Sequence, residues 1–142
     1  MVATPTPVSS QGTTIKKTSG TAIAFVTSID GLDIKVNTID STNLSSTGGF
    51  KEFISGFKEV QDVSLSGFFD YTSHSGILTD LQAGTITGYT IQFPPSGGGT
   101  TGASWTFTGI VTGFKTKAAV ESLISFDATI KVSGSPTLVA GA

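Results

Sequence analysis

Apolar and polar residues alternate with a period of two along most of this chain, the spacing that sets every second side chain on one face of a β-strand. Ile23, Phe25, Thr27 and Ile29 share one face of a first strand. Asp30 and Gly31 then supply a turn signal before Ile34 and Val36 resume the pattern, so a hairpin is the simplest reading. Val63 and Leu65 alternate with Asp62, Ser64 and Ser66, giving a strand with one apolar and one small polar face. Tyr89, Ile91 and Phe93 follow until Pro94 and Pro95 stop the run. Trp105, Phe107 and Val111 alternate with threonines, and Ile124, Phe126, Ala128, Ile130 and Val132 form the cleanest series in the chain. Residues 115 to 122 join these two strands as a turn of helix or a short bulged link.

The period changes once. Ile77, Leu78 and Leu81 are spaced for a helix over residues 75–83, with Ser73 or Ser75 as N-cap and Gly84 placed to end it. The expected fold is therefore mainly β: a β-sandwich or partly closed barrel with one short α-helix and a long β-hairpin loop. That loop, residues 40–61, interrupts two strand patterns with a Ser/Thr/Gly stretch carrying Phe50, Phe53, Ile54 and Phe57. Loops of roughly 20 residues are uncommon in a compact domain and are usually functional or disordered. Burying one large apolar side chain contributes about 1.5 to 3 kcal/mol, so four of them on a loop with no core of its own should seek another surface.

Composition narrows the reading. At 142 residues the chain has the length of one domain and can bury about 68 to 70% of its unfolded surface without a staple. Only 13% of residues are charged, 18 are glycine, and Ser and Thr dominate the polar positions, which favours short strands and turns. The absence of cysteine excludes a disulfide framework and thiolate chemistry. All 8 basic residues are lysine and the net charge is -2, so the arginine forks that grip phosphate or guanine edges are missing and tight nucleic-acid binding is not expected. The longest purely apolar run, Ala22 to Val26, is far short of a membrane span, and a soluble protein with no membrane partner is expected. Residues 1–18, with Pro5, Pro7 and Gly12, read as an extended N-terminal arm, residues 19–137 as the β domain, and residues 138–142 as a C-terminal tail.

Catalytic signals are weak. Gly97, Gly99 and Gly102 satisfy a literal G-x-G-x-x-G, but the strand SWTFTG follows where a phosphate-binding helix would have to begin. His74, the sole histidine, is expected to be exposed near the helix start, and no partner marks it as a base. Asp30 and Asp33 lack the ligand spacing of a calcium site, and Asn43, Leu44 and Ser45 form a glycosylation sequon of the kind that arises by chance in serine-rich loops. Trp105 and Tyr89 could stack a sugar, though their places in alternating strands favour core packing. No enzyme, cofactor or metal site is expected.

The blocks TIDSTNLSSTGGFKEFISGFKEVQDVSLSGFFD and FTGIVTGFKTKAAVESLISFDATIKVSGSPTL resemble the major tail tube proteins of long-tailed, siphovirus-like bacteriophages. The distinctive runs are Asp40, then Gly48 and Gly49 followed by Phe50, Lys51, Glu52, Phe53 and Ile54, and, at the end, Ser133 to Thr137. The resemblance implies a tail-tube type fold in a structural virion protein, assembled in the bacterial host cytoplasm and residing in the virion tail. It implies hexameric rings stacked into a conduit for DNA ejection, with a tail-tip initiator complex, a tape-measure protein and a tail terminator as partners. Gly48, Gly49, Phe50, Lys51, Phe53, Ile54 and Phe57 would then form the loop that reaches a neighbouring ring. Alternation nominates Lys35, Asn37, Asp62, Ser64 and Ser66 as lumen-facing, with DNA passing unbound. Two other readings stay open: an adhesin or pilus-like surface subunit, and a carbohydrate-binding module.

Overall fold

A computed structural model describes residues 7–18, 20, 22–95 and 99–141. The first six residues of the expected arm and Gly97 of the glycine motif lie outside them. Eight strands and one helix follow in the order β1 (Thr14–Lys17), β2 (Val26–Asp30), β3 (Ile34–Asp40), β4 (Phe53–Val60), β5 (Val63–Phe68), α1 (Tyr71–Ala83), β6 (Thr87–Gln92), β7 (Ser104–Lys117) and β8 (Ser125–Val139). The strands form a six-stranded antiparallel sheet, ordered β1-β6-β7-β8-β5-β2, and a separate two-stranded ribbon, β3-β4. The mainly β architecture with one helix is as the periodicity predicts.

Inward-facing Ile15, Val63, Leu65, Ile91, Phe107, Val111, Phe126 and Ile130 build the core on one face of the large sheet, and α1 roofs it. The helix starts at Tyr71, four residues earlier than the spacing suggests, because Asp70 is its N-cap: its carboxylate accepts from the Ser73 N–H at 3.0 Å. Gly84 ends it in the left-handed conformation (φ 65).

Two expectations are corrected. The segments around residues 26–30 and 34–40 do not form a hairpin: β2 pairs with β5, whereas β3 leaves the sheet and pairs with β4. Gly31 makes that departure possible, since a Cβ there would lie 2.6 Å from the Asp62 carbonyl oxygen. The structure also places Thr14–Lys17, inside the stretch read as an arm, on the sheet edge, with Ile15 fully buried opposite Ile91.

Bulges bend the long β7-β8 pair twice. Between Val111 and Gly113, β7 carries one residue more than β8, and between Thr106 and Thr108 the register slips again opposite the β8 segment holding Gly134 (φ 85) and Pro136. Proline, which has no N–H for a ladder, is tolerated at such an irregularity.

Candidate assembly site

The expected 40–61 loop is largely a β-ribbon. Asp40 pairs with Phe53, Ile39 with Ile54 and Thr38 with Ser55, so Phe53, Ile54 and Phe57 stand on β4 rather than in irregular chain. At the tip, Thr47–Gly49 forms a single 3-10 turn in which Gly48 (φ 68) and Gly49 (φ 74) take conformations that side chains resist. Phe50 and Lys51 follow this turn and are exposed. The tip is well bonded: Glu52 N–H donates to the Thr42 hydroxyl at 2.8 Å, Ser46 Oγ donates to the Glu52 carboxylate at 3.0 Å, and Asn43 Oδ1 accepts from the Ser45 N–H at 2.8 Å. The Thr42 hydroxyl and then its N–H bond the Asp40 carboxylate and hold its pKa below the ordinary value. Such a tip presents its side chains in fixed places before any partner arrives.

All four predicted anchors are exposed, Phe57 the most at 91%. It lies where β4 bulges against β3, between the Val36 and Thr38 pairs, and a bulge of this kind re-aims a side chain out of the ladder. Ile39 and Leu44 add to the exposed apolar surface and were missed by the sequence reading, although Ile39 alternates with Asp40 in the same run.

The open face of the large sheet is mostly polar, with Phe68 exposed on it at the end of β5. Ser64 and Ser66 alternate with buried Val63 and Leu65 on β5, and Asp62 sits in the turn that enters this strand. Beside them on β8, the Asp127 carboxylate accepts from Ser66 Oγ at 2.7 Å and lies 3.8 Å from Lys115 Nζ, while Lys131 Nζ lies 3.8 Å from Asp62. Lys35 and Asn37 belong to β3 in the separate ribbon, so the structure brings together three of the five lumen candidates and not the other two. Asp127 and Lys131 were missed, though they alternate with Phe126, Ala128 and Ile130 just as Ser64 alternates with Val63 and Leu65.

The groups with chemical potential serve the core. His74 is fully buried, correcting the expectation of an exposed residue. Its Nδ1 accepts from the Asp70 N–H at 2.8 Å, which leaves Nε2 as the protonated nitrogen donating to the Ala24 carbonyl at 2.8 Å. The ring packs against Phe126 at a centroid distance of 4.0 Å, tilted by 36°. Tyr89 is buried against Phe107 and cannot serve as a sugar platform, and its phenol pKa is pushed up to about 12 by burial and then by nearby Asp80. Asp80 itself is ion-paired with Lys17. Trp105, half-buried, borders a 250 Å³ cavity with Phe93 and Leu32. Among the described residues no three His, Cys, Asp or Glu side chains cluster to hold a metal, and no helix is long and apolar enough to cross a membrane.

This chain, a sheet with one face roofed by a helix and the other open, and with a projecting two-stranded ribbon, has the fold of solved tail tube chains. It superposes on a chain from the tail of an empty GTA particle, refined helically with C6 symmetry, with TM-score 0.71 and 19% identity, over 89% of this chain and 95% of the other. The tube-terminating cap of the anti-feeding prophage gives TM-score 0.78 and 16% identity, over 99% of this chain and 96% of that one. The SPP1 tail tube gives TM-score 0.69 and 10% identity, covering 94% and 80%. No protein-family model matches the sequence, and no curated protein does. The expected tail-tube resemblance thus holds in three dimensions.

Proposed function

We propose that this protein is the non-enzymatic structural subunit of a tail tube, residing in the virion tail of a bacteriophage-like particle. Copies join side by side into rings of six, and the rings stack into the channel through which DNA leaves. One observation carries the reading: a single chain combines a sheet whose uncovered face is polar with a rigid ribbon whose Phe50, Phe53, Ile54 and Phe57 have no cover within the chain. The comparison with a C6-symmetric GTA tail supports the ring of six.

Lateral closure follows from edges. β1 and β2 bound the large sheet; the edge of β1 is partly covered by the chain around Ala22, where the Ile23 N–H donates to the Ile15 carbonyl at 2.8 Å, whereas β2 is flanked by no further strand among the described residues and offers groups that another sheet can satisfy. Axial stacking falls to the ribbon, where Gly48 and Gly49 shape the tip, Lys51 flanks Phe50, and Phe53, Ile54 and Phe57 enter the next ring. The face carrying Asp62, Ser64 and Ser66 lines the lumen, and Lys35 and Asn37 extend the polar surface along the ribbon. Its lysines are matched by nearby carboxylates and it has no arginine, so phosphate slides past without being held. A tail-tip complex, a tape-measure protein and a terminator would start, measure and cap the polymer.

Electron microscopy of the concentrated protein tests this reading. Hollow rods or six-fold rings are the expected result, and a persistently monomeric particle would overturn it.

A further inference from the structure

A second apolar surface lies at the opposite end of the sheet from the ribbon. The β7-β8 connection exposes Val120 (91%), Leu123 and Ile124, and Phe68, at the end of β5, is exposed beside them. Phe68, Ala119, Leu123 and Lys117 share a cleft of 470 Å³. Phe25 extends the patch, since its carbonyl accepts from the Phe68 N–H at 2.9 Å. Two of its residues carry backbone strain: Phe25 (φ 59) and Glu121 (φ 60) lie in the left-handed region, which bulky side chains seldom adopt and which tends to mark functional sites.

The ribbon of the same chain cannot reach this cleft. Its base is pinned where the Gln61 N–H donates to the Asp33 carbonyl at 2.9 Å, and it lies beside β8 at Lys131 to Pro136, away from the Ser125 end. At about 3.3 Å per residue, the five steps along β8 from Ser125 to Ile130 alone set the ribbon's base roughly 17 Å from the cleft. Two different apolar surfaces at opposite ends of one molecule make a heterologous, head-to-tail contact, the kind that propagates along an axis instead of closing on itself.

Resting on the tail-tube reading, we propose that the Phe68–Leu123 cleft is the socket that receives the ribbon of a second copy of this chain. Charge agrees with that occupant. Lys117 is the one charged side chain lining the cleft itself, the exposed Glu121 of the same connection standing outside that lining, and the ribbon tip, with Asp40 and Glu52 against Lys51, is net negative by one.

The chain has no cysteine, so introduced thiols report a contact without background. Ser55→Cys on the ribbon and Ser122→Cys in the cleft lining, both exposed and neither one of the apolar anchors, are combined in one chain, and the assembled protein is treated with a short flexible bis-maleimide. A ladder of covalent multimers, absent from either single variant, is the expected result. Tubes that form normally but yield no ladder would overturn the socket while leaving the tube reading intact. A protein that neither assembles nor cross-links would overturn both, and cross-linked pairs without tubes would support the socket and count against the tube. In a second measurement, Val120→Ser with Leu123→Ser should raise the concentration needed for assembly by about tenfold or more, equivalent to about 1.4 kcal/mol. An unchanged threshold would also overturn the socket.

Discussion

His74 shows how a residue with catalytic credentials is consumed by structure. Both ring nitrogens bond backbone groups, one at the N-terminus of α1 and one in the chain entering β2, so the ring ties helix to sheet while its face packs on Phe126. Replacing it with alanine leaves the half-buried Asp70 N–H and Ala24 carbonyl without these partners. His74→Ala is expected to destabilise the fold by about 2 to 4 kcal/mol, read from urea unfolding. Tyr89 predicts an alkaline weakness. Its phenol pKa in the fold, about 12, exceeds the free value of 10.0, so the native state holds the proton more tightly. The stabilisation is complete below pH 10 and is lost as pH rises toward 12. A Tyr89→Phe variant should lose this particular slope between those limits in pH-dependent unfolding.

At the scale of the element, the ribbon separates what the sequence discloses from what it hides. The four apolar anchors are legible because apolar residues amid serine, threonine and glycine have no local core to join. Their partner strand is not legible. Periodicity reports which face a residue occupies but not which strand lies alongside, and the turn signal at Asp30 and Gly31 is equally compatible with a hairpin and with a departure from the sheet. β1 escaped notice for a related reason, since its single buried residue, Ile15, is followed by two lysines and shows no alternation long enough to read. The ribbon prediction belongs here. Phe53→Ser with Phe57→Ser should leave the circular dichroism spectrum and melting temperature near those of the parent, because both side chains are exposed, while sedimentation shows subunits that no longer stack. Normal polymerisation of this double variant would remove the anchors from the assembly.

For the whole molecule, the division between a roofed apolar face and an open polar one decides what a ring of such sheets would enclose. The polar side chains on β5 were legible by alternation, but their carboxylate and lysine neighbours come from β8, some sixty residues away in sequence at the Ser66 to Asp127 bond. If that face lines a DNA passage, its tolerance for phosphate can be reversed by design. Ser64→Arg with Thr129→Arg places two unmatched cations on adjacent strands of the open face. Assembled tubes of this variant should retain DNA fragments at low salt and release them as salt rises, whereas parent tubes should show no such dependence.

The paired irregularities in β7 and β8 bear on size. Each adds local twist to the longest strands of the sheet, and in a closed wall the bend contributed by every copy must sum to one full circle. The bore of such a conduit would thus depend on where a few surplus residues fall in two strands.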